Sequence, residues 1–137
     1  MGLWRIFSVF ALLIALCGGC GRDSQYGRKL TGPEIQALFA GKTVEGHHEI
    51  DRYDFKSYYE PTGVFRSYQS DKTGARPAKW WVSGDLICIH RDDEPEELCR
   101  NMFVDPGGVY RKVLVTGRTH KVVVTFKSFT PGNPGNL

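Results

Sequence analysis

Pro77-Ala78-Lys79-Trp80-Trp81-Val82-Ser83-Gly84-Asp85-Leu86-Ile87-Cys88-Ile89-His90-Arg91 is the stretch that decides the fold. Two runs with a period of two, 77–83 and 86–91, flank Gly84-Asp85, a turn that suits a tight β-hairpin. The same grammar extends in both directions. From Lys42 onward it predicts further strands at 42–50, 53–60, 64–70, 97–104, 109–116 and 120–127. Turn residues separate them: Pro61-Thr62-Gly63, Asp71-Lys72-Thr73-Gly74, Asp105-Pro106-Gly107-Gly108 and Thr116-Gly117. Short strands at regular spacing predict an antiparallel meander. A sheet of about eight strands must close or fold over itself to remove its edges. The expected fold class is therefore mainly β: a small antiparallel meander closing into an about eight-stranded barrel, with a sandwich as the alternative.

One helix is written upstream of the strands. Thr31-Gly32-Pro33-Glu34 is a capping box, and Pro33 sits in the first turn, where its missing N–H costs nothing. Ile35, Leu38 and Phe39 share a face, and Gly41 is a natural stop. So short a helix is marginal alone and must lie against an apolar part of the sheet. The closing Thr130-Pro131-Gly132-Asn133-Pro134-Gly135-Asn136-Leu137 reads as a flexible tail.

The N-terminus carries an address. Arg5 precedes an apolar run from Ile6 to Leu16, followed by Cys17-Gly18-Gly19-Cys20. One positive charge, a short apolar run and small residues before a cut site make a secretory signal peptide; a spanning helix needs roughly 20 apolar residues. Leu16-Cys17-Gly18-Gly19-Cys20 resembles a bacterial lipobox, although the usual Leu is displaced by one position. The resemblance implies lipidation of Cys20 and a membrane anchor in the periplasm; ordinary cleavage near Gly18 or Gly19 and secretion is the alternative. Cys17-x-x-Cys20 also has the form of a redox or zinc pair, but Cys17 falls in the part that export removes. The expected organisation is a signal peptide at 1–19, a tether at 20–29, a β domain with its helix at 30–129 and the tail at 130–137.

Removing residues 1–19 from the chain of 137 leaves 118 residues and takes away one basic residue, Arg5, from 18, against 15 acidic ones. So balanced a chain gives no global argument for nucleic acid. It is long enough for one domain with a modest core.

Cys88 and Cys99 face each other if the hairpin turns near Asp93 and Glu94, and export makes a disulfide the expected outcome. Closing a loop of that length is worth roughly 3 kcal/mol in the chain-entropy model. The acidic turn Asp92-Asp93-Glu94-Pro95-Glu96-Glu97 offers oxygen ligands, but its spacing matches no calcium loop and Pro95 stiffens it; a solvated turn guarding an edge is the simpler reading. His47 and His48 are adjacent and point to opposite faces of a strand, so they do not easily ligate one ion. One of them can join His90 only if their strands are neighbours; no metal site is assigned. Trp80 and Trp81 alternate, so one of them is expected at the surface or at a barrel mouth. There an indole suits a sugar ring, a lipid interface or a partner. Arg111, Lys112, Arg118, His120 and Lys121 cluster around the last hairpin. They offer a surface for anionic headgroups or an acidic partner, against the plainer reading of a solvated strand face. No Gly-x-Ser-x-Gly, His-Glu-x-x-His or phosphate-binding glycine loop is present, so neither a catalytic centre nor a cofactor is expected.

Leu30-Thr31-Gly32-Pro33-Glu34-Ile35 and Leu38 to Gly46, together with Trp81-Val82-Ser83-Gly84-Asp85-Leu86-Ile87-Cys88 and Cys99, resemble a group of small exported bacterial proteins of unknown function. Ile87 is an insertion relative to that pattern. The resemblance implies a fold and a compartment and carries over no catalytic residue. Lipocalin-like and avidin-like barrels and the periplasmic inhibitors of lysozyme are analogies at fold level. The functional expectation is a non-catalytic, lipid-anchored envelope module for binding or interaction, its partner unassigned, with an envelope protein among the candidates. The alternatives are a lipocalin-like barrel for a small apolar or glycan ligand, and an inhibitor of a cell-wall hydrolase.

Overall fold

In the computed structural model, which describes residues 25–70, 72 and 75–137 (backbone alone for 75 and 76), eight strands pair in chain order until the ring closes. They are β2 (Lys42–His48), β3 (Tyr53–Tyr59), β4 (Val64–Gln69), β5 (Ala75–Ser83), β6 (Leu86–Arg91), β7 (Leu98–Val104), β8 (Tyr110–Thr116) and β9 (Thr119–Pro131). Each is antiparallel to the next, and β9 returns to pair with β2, so the expected barrel forms and the sandwich does not. A two-residue strand, β1 (Arg28–Lys29), is added outside the ring. The expected signal peptide, Cys20 and the turn residues Asp71, Thr73 and Gly74 lie outside the described residues.

The turns follow their chemistry. Gly84 and Gly117 take positive φ at the first position of the two tight hairpins β5–β6 and β8–β9, which glycine does without strain. Gly46 serves a different purpose at the irregularity where β2 meets β9. A Cβ there would stand 2.7 Å from the Phe55 ring and 2.9 Å from the Thr125 carbonyl. The missing side chain is what lets Phe55 lie across the inside of β2.

The helix α1 (Gly32–Phe39) closes one end of the barrel. Its capping box forms as expected, with Thr31 and Glu34 satisfying each other's free groups. The Arg28 guanidinium and the Thr31 N–H hold the exposed Glu34 carboxyl down at about 2. From the opposite side the β5–β6 turn docks on the helix start: Asp85 accepts a hydrogen bond from the Gly32 N–H at 2.8 Å. Ile35 and Phe39 are fully buried. The Phe39 ring lies 4.7 Å from Tyr59, 5.4 Å from Phe126 and 5.3 Å from Phe129. Trp80 joins this plug, buried, its indole N–H donating to the Glu60 carbonyl at 2.8 Å.

Two boundaries differ from the sequence reading. Arg28 and Lys29 are not tether but strand, paired with Val104 and Phe103. β7 is longer than its contact with β6, which stops at Asn101, so its last residues offer an open edge that β1 fills. At the other terminus, β9 continues through Thr130 and Pro131 opposite Thr43 and Lys42. Proline is tolerated there as the last residue of a strand. The Gly132 N–H then donates to the Gly41 carbonyl at 2.8 Å, and Asn133 clasps Leu137 through two hydrogen bonds, so the expected tail is held against the plugged end.

Phe39→Ala removes the side chain on which the plug converges. It is expected to destabilise the fold by about 3–5 kcal/mol in denaturant unfolding, with Leu38→Ala, at the half-buried flank, costing clearly less.

Candidate functional site

A cavity of about 600 Å³ opens at the barrel end opposite α1. Its existence follows from which side chains the inward positions carry. Near the helix those positions hold Tyr59, Trp80, Met102 and Phe126, which fill the barrel. Further along they hold Ser57 on β3 and Ser67 on β4, both buried and hydrogen-bonded to each other at 2.8 Å. Two serines cannot fill the space that aromatic rings fill below them. Gln69 donates to the Tyr53 hydroxyl at 3.1 Å and completes a neutral polar wall. Burial holds the Tyr59 phenol at the cavity floor well above its ordinary pKa, so it stays protonated.

The opposite wall is cationic. Arg91 on β6, Arg100 on β7 and Lys112 on β8 all line the cavity, on three neighbouring strands. In an eight-membered ring these strands stand across from β3 and β4. The Arg91 guanidinium lies 5.8 Å from the centre of the Phe65 ring, and the Lys112 ammonium 5.9 Å from that of Phe126. Arg100 donates one Nη1 bond to the Cys99 carbonyl at 2.8 Å, while its Nε is buried with no hydrogen-bond partner among the described residues. Lys112 is only 8% exposed, and no carboxylate pairs with it among the described residues. Among the described residues, the carboxylates that line the cavity, Asp51 and Glu94, belong to the connections at the mouth. Ile50 and Leu98 form an exposed apolar rim there.

His48 also faces inward, stacked on Tyr53 at 4.9 Å. Its Nδ1 accepts from the Asp51 N–H at 3.1 Å. Burial lowers its pKa against the opposing pull of the Asp51 carboxylate, which favours the neutral ring. His47 points the other way and meets Asp54 at 2.9 Å, and Asp54 also meets Lys127 at 2.8 Å. Among the described residues no group of three His, Cys, Asp or Glu side chains forms a metal site.

The residues singled out from sequence are dispersed. Cys88 and Cys99 form the expected disulfide on the outward face of β6 and β7, where Cys88 is nonetheless fully buried. Trp81 flanks it in the same row, half-buried, opposite Cys88. Trp80 is not a surface residue at all, because the plug absorbs it. Arg111 is spent on an ion pair with Asp105 at 2.7 Å. Arg118 and Lys121 stand exposed around the β8–β9 turn. Lys112 alone of the basic cluster enters the cavity.

Arg91 and Arg100 went unnoticed in the sequence, and their signal is the period of two. Ile87-x-Ile89-x-Arg91, Leu98-x-Arg100-x-Met102 and Tyr110-x-Lys112-x-Leu114 each put one cation on the face that the apolar residues assign to the interior. Comparison with protein-family models, curated proteins and solved structures finds no match to this chain. Among the described residues no helix is long and apolar enough to cross a membrane.

Burial pushes the Lys112 ammonium down to about 7, and Arg91 and Arg100 push the same way. A cation whose folded pKa lies below its unfolded one opposes folding while it is protonated in the unfolded chain. The cost is complete below about pH 7 and fades as pH rises toward the ordinary value of 10.5. Lys112→Met is therefore expected to raise stability at neutral pH by roughly 2–4 kcal/mol. It should also flatten the gain that the wild type shows between about pH 7 and 10 in urea unfolding.

Proposed function

We propose that this chain is a non-catalytic binding module of a bacterial envelope, anchored through a lipid on Cys20, whose barrel interior takes a small ligand in the manner of lipocalin-type barrels. The cavity of about 600 Å³ carries the ligand-binding part. It falls within the roughly 300–1,000 Å³ of ordinary small-molecule sites. A barrel packed solid by its aromatics has no such space, and here the solid packing stops at the level of Ser57 and Ser67. The walls have the composition of a ligand site: apolar and aromatic surface with a few polar groups converging from both sides.

Docking of an envelope protein, or inhibition of a cell-wall hydrolase, would draw on the exterior. There Trp81 lies beside the disulfide while Arg118 and Lys121 stand around the β8–β9 turn, so no single patch gathers them. The interior is the better-built site. The deep groups are cations and serines bonded to each other, with the carboxylates at the mouth, and this supports binding over acid–base chemistry.

N-phenyl-1-naphthylamine, an uncharged fluorescent amphiphile, is expected to bind saturably with a blue-shifted emission. Leu114→Trp, which fills the mouth from β8, is expected to weaken that binding at least tenfold. No saturable signal, or one indifferent to Leu114→Trp, would overturn the ligand barrel.

The anchor has its own check. Cys20→Ser is expected to move the protein from the membrane pellet to the soluble fraction of its host. The native chain should have the mass of a protein that starts at Cys20 and carries acyl groups.

A further inference from the structure

Arg91, Arg100 and Lys112 converge on one cavity from three adjacent strands, and none of them finds a carboxylate ion-pair partner among the described residues. Like charges gathered in a partly desolvated space repel one another. Their ordinary balance would be acidic residues at the same depth. The wall across from them instead carries the hydroxyls of Ser57 and Ser67 and the amide of Gln69, which are neutral. Asp51 does not supply the balance: its side chain is 65% exposed and it stands beside His48 at the mouth. Glu94, also at the mouth, has an interaction of its own.

Two details give the missing charge a place. The Arg100 Nε–H is buried and has no hydrogen-bond partner among the described residues, although its neighbour Nη1 is engaged by the Cys99 carbonyl. A buried donor without a partner is rare enough in a folded protein to need an explanation. Lys112 stands over the aromatic floor, against Phe126, where water is least able to solvate it. A guanidinium and an ammonium at one site are a recognition pair for an oxyanion, the guanidinium fixing orientation and the ammonium adding charge. Toward the mouth the lining changes to Leu114, Leu98 and Ile50, with the charged side chains of Asp51, Lys72 and Glu94 on the connections around it.

We propose, building on the ligand-binding function above, that the ligand is an amphiphilic organic anion whose oxyanion head is seated between Arg100 and Lys112, with Arg91 beside them, and whose apolar body leads out past Leu114 to the rim of Ile50 and Leu98. A carboxylate and a phosphate monoester share this head-group chemistry.

The test compares dodecanoate, dodecyl phosphate and dodecan-1-ol as displacers of bound N-phenyl-1-naphthylamine, below the micelle concentrations of the two anions and the solubility limit of the alcohol. The wild type should bind at least one of the two anions ten times or more tighter than the alcohol. Which anion wins identifies the head group. Lys112→Met and Arg100→Gln should each lower the affinity for that anion tenfold or more, while the affinities for the uncharged probe and for the alcohol stay within about twofold. Retained probe binding shows that a variant still forms the pocket. If the alcohol binds as well as both anions, or if neither substitution lowers anion affinity, the anion assignment is overturned while the ligand barrel stands. If the uncharged probe does not bind the wild type at all, the barrel function fails and takes the assignment with it.

Discussion

Phe39 reaches from a two-turn helix into one end of the barrel, and the rest of the molecule is arranged around that insertion. The ring lies within aromatic contact of Tyr59, Phe126 and Phe129, and through Tyr59 it reaches Phe65 and Trp80. An eight-stranded barrel has an interior just wide enough for side chains to fill or for one small ligand to occupy. Here both solutions are used at different heights. The plugged half is filled in the manner of a core. The other half is left open because β3 and β4 turn the small side chains of Ser57 and Ser67 inward at its base. The helix is too short to persist alone and depends on the barrel, while the barrel depends on the helix to close its apolar end.

The electrostatics of the open half follow from the same division. A charged side chain in a filled core would have to be neutralised or paired. Beside an open cavity it can keep a route to solvent or to a ligand. Lys112 sits at the boundary between the two regimes, its ammonium over the ring of Phe126 and its neighbours being the cations Arg91 and Arg100. That position explains why its pKa falls while the chain still folds, and why the surface cations Arg118 and Lys121 belong to a different problem.

Much of the architecture was legible because it is written in short-range signals. The hairpin glycines, the alternation of each strand and the capping box of Thr31 and Glu34 are local, and each predicted element is present within a few residues of its expected limits. The Cys88–Cys99 staple was legible for the same reason, since a hairpin fixes its own register. What the chain conceals depends on closure. Whether Trp80 or Trp81 faces inward is a parity that only the assembled ring resolves, and the ring places Trp80 beneath the helix. The strand Arg28–Lys29 exists because β7 outruns β6, a mismatch between two strands that neither segment displays alone. The cationic wall is spread over β6, β7 and β8, so that neighbours in sequence such as Arg111 and Lys112 belong to opposite faces while Arg91 and Lys112, far apart in sequence, belong to one site. Clustering charges by sequence distance grouped Lys112 with the wrong partners.

The staple and the site are connected through that same parity. Cys88 and Cys99 join β6 and β7 on the outer face, in the row between the inward positions of Ile87 and Arg100 on one side and Ile89 and Leu98 on the other. A covalent bond across those two strands fixes their register where Arg100 turns inward and where Arg91 follows at the end of β6. The Cys99 carbonyl also takes one of the donors of Arg100, which holds the guanidinium to its own strand while its Nε–H has no partner among the described residues. Rigid backbone behind a polar group limits the entropy lost when a ligand engages it. The acidic connection from Asp92 to Glu97 is thereby free to carry its charges at the mouth without having to hold the strands together. On this account the disulfide serves the interior as much as the fold: it stiffens the one wall of the barrel on which like charges have been brought together.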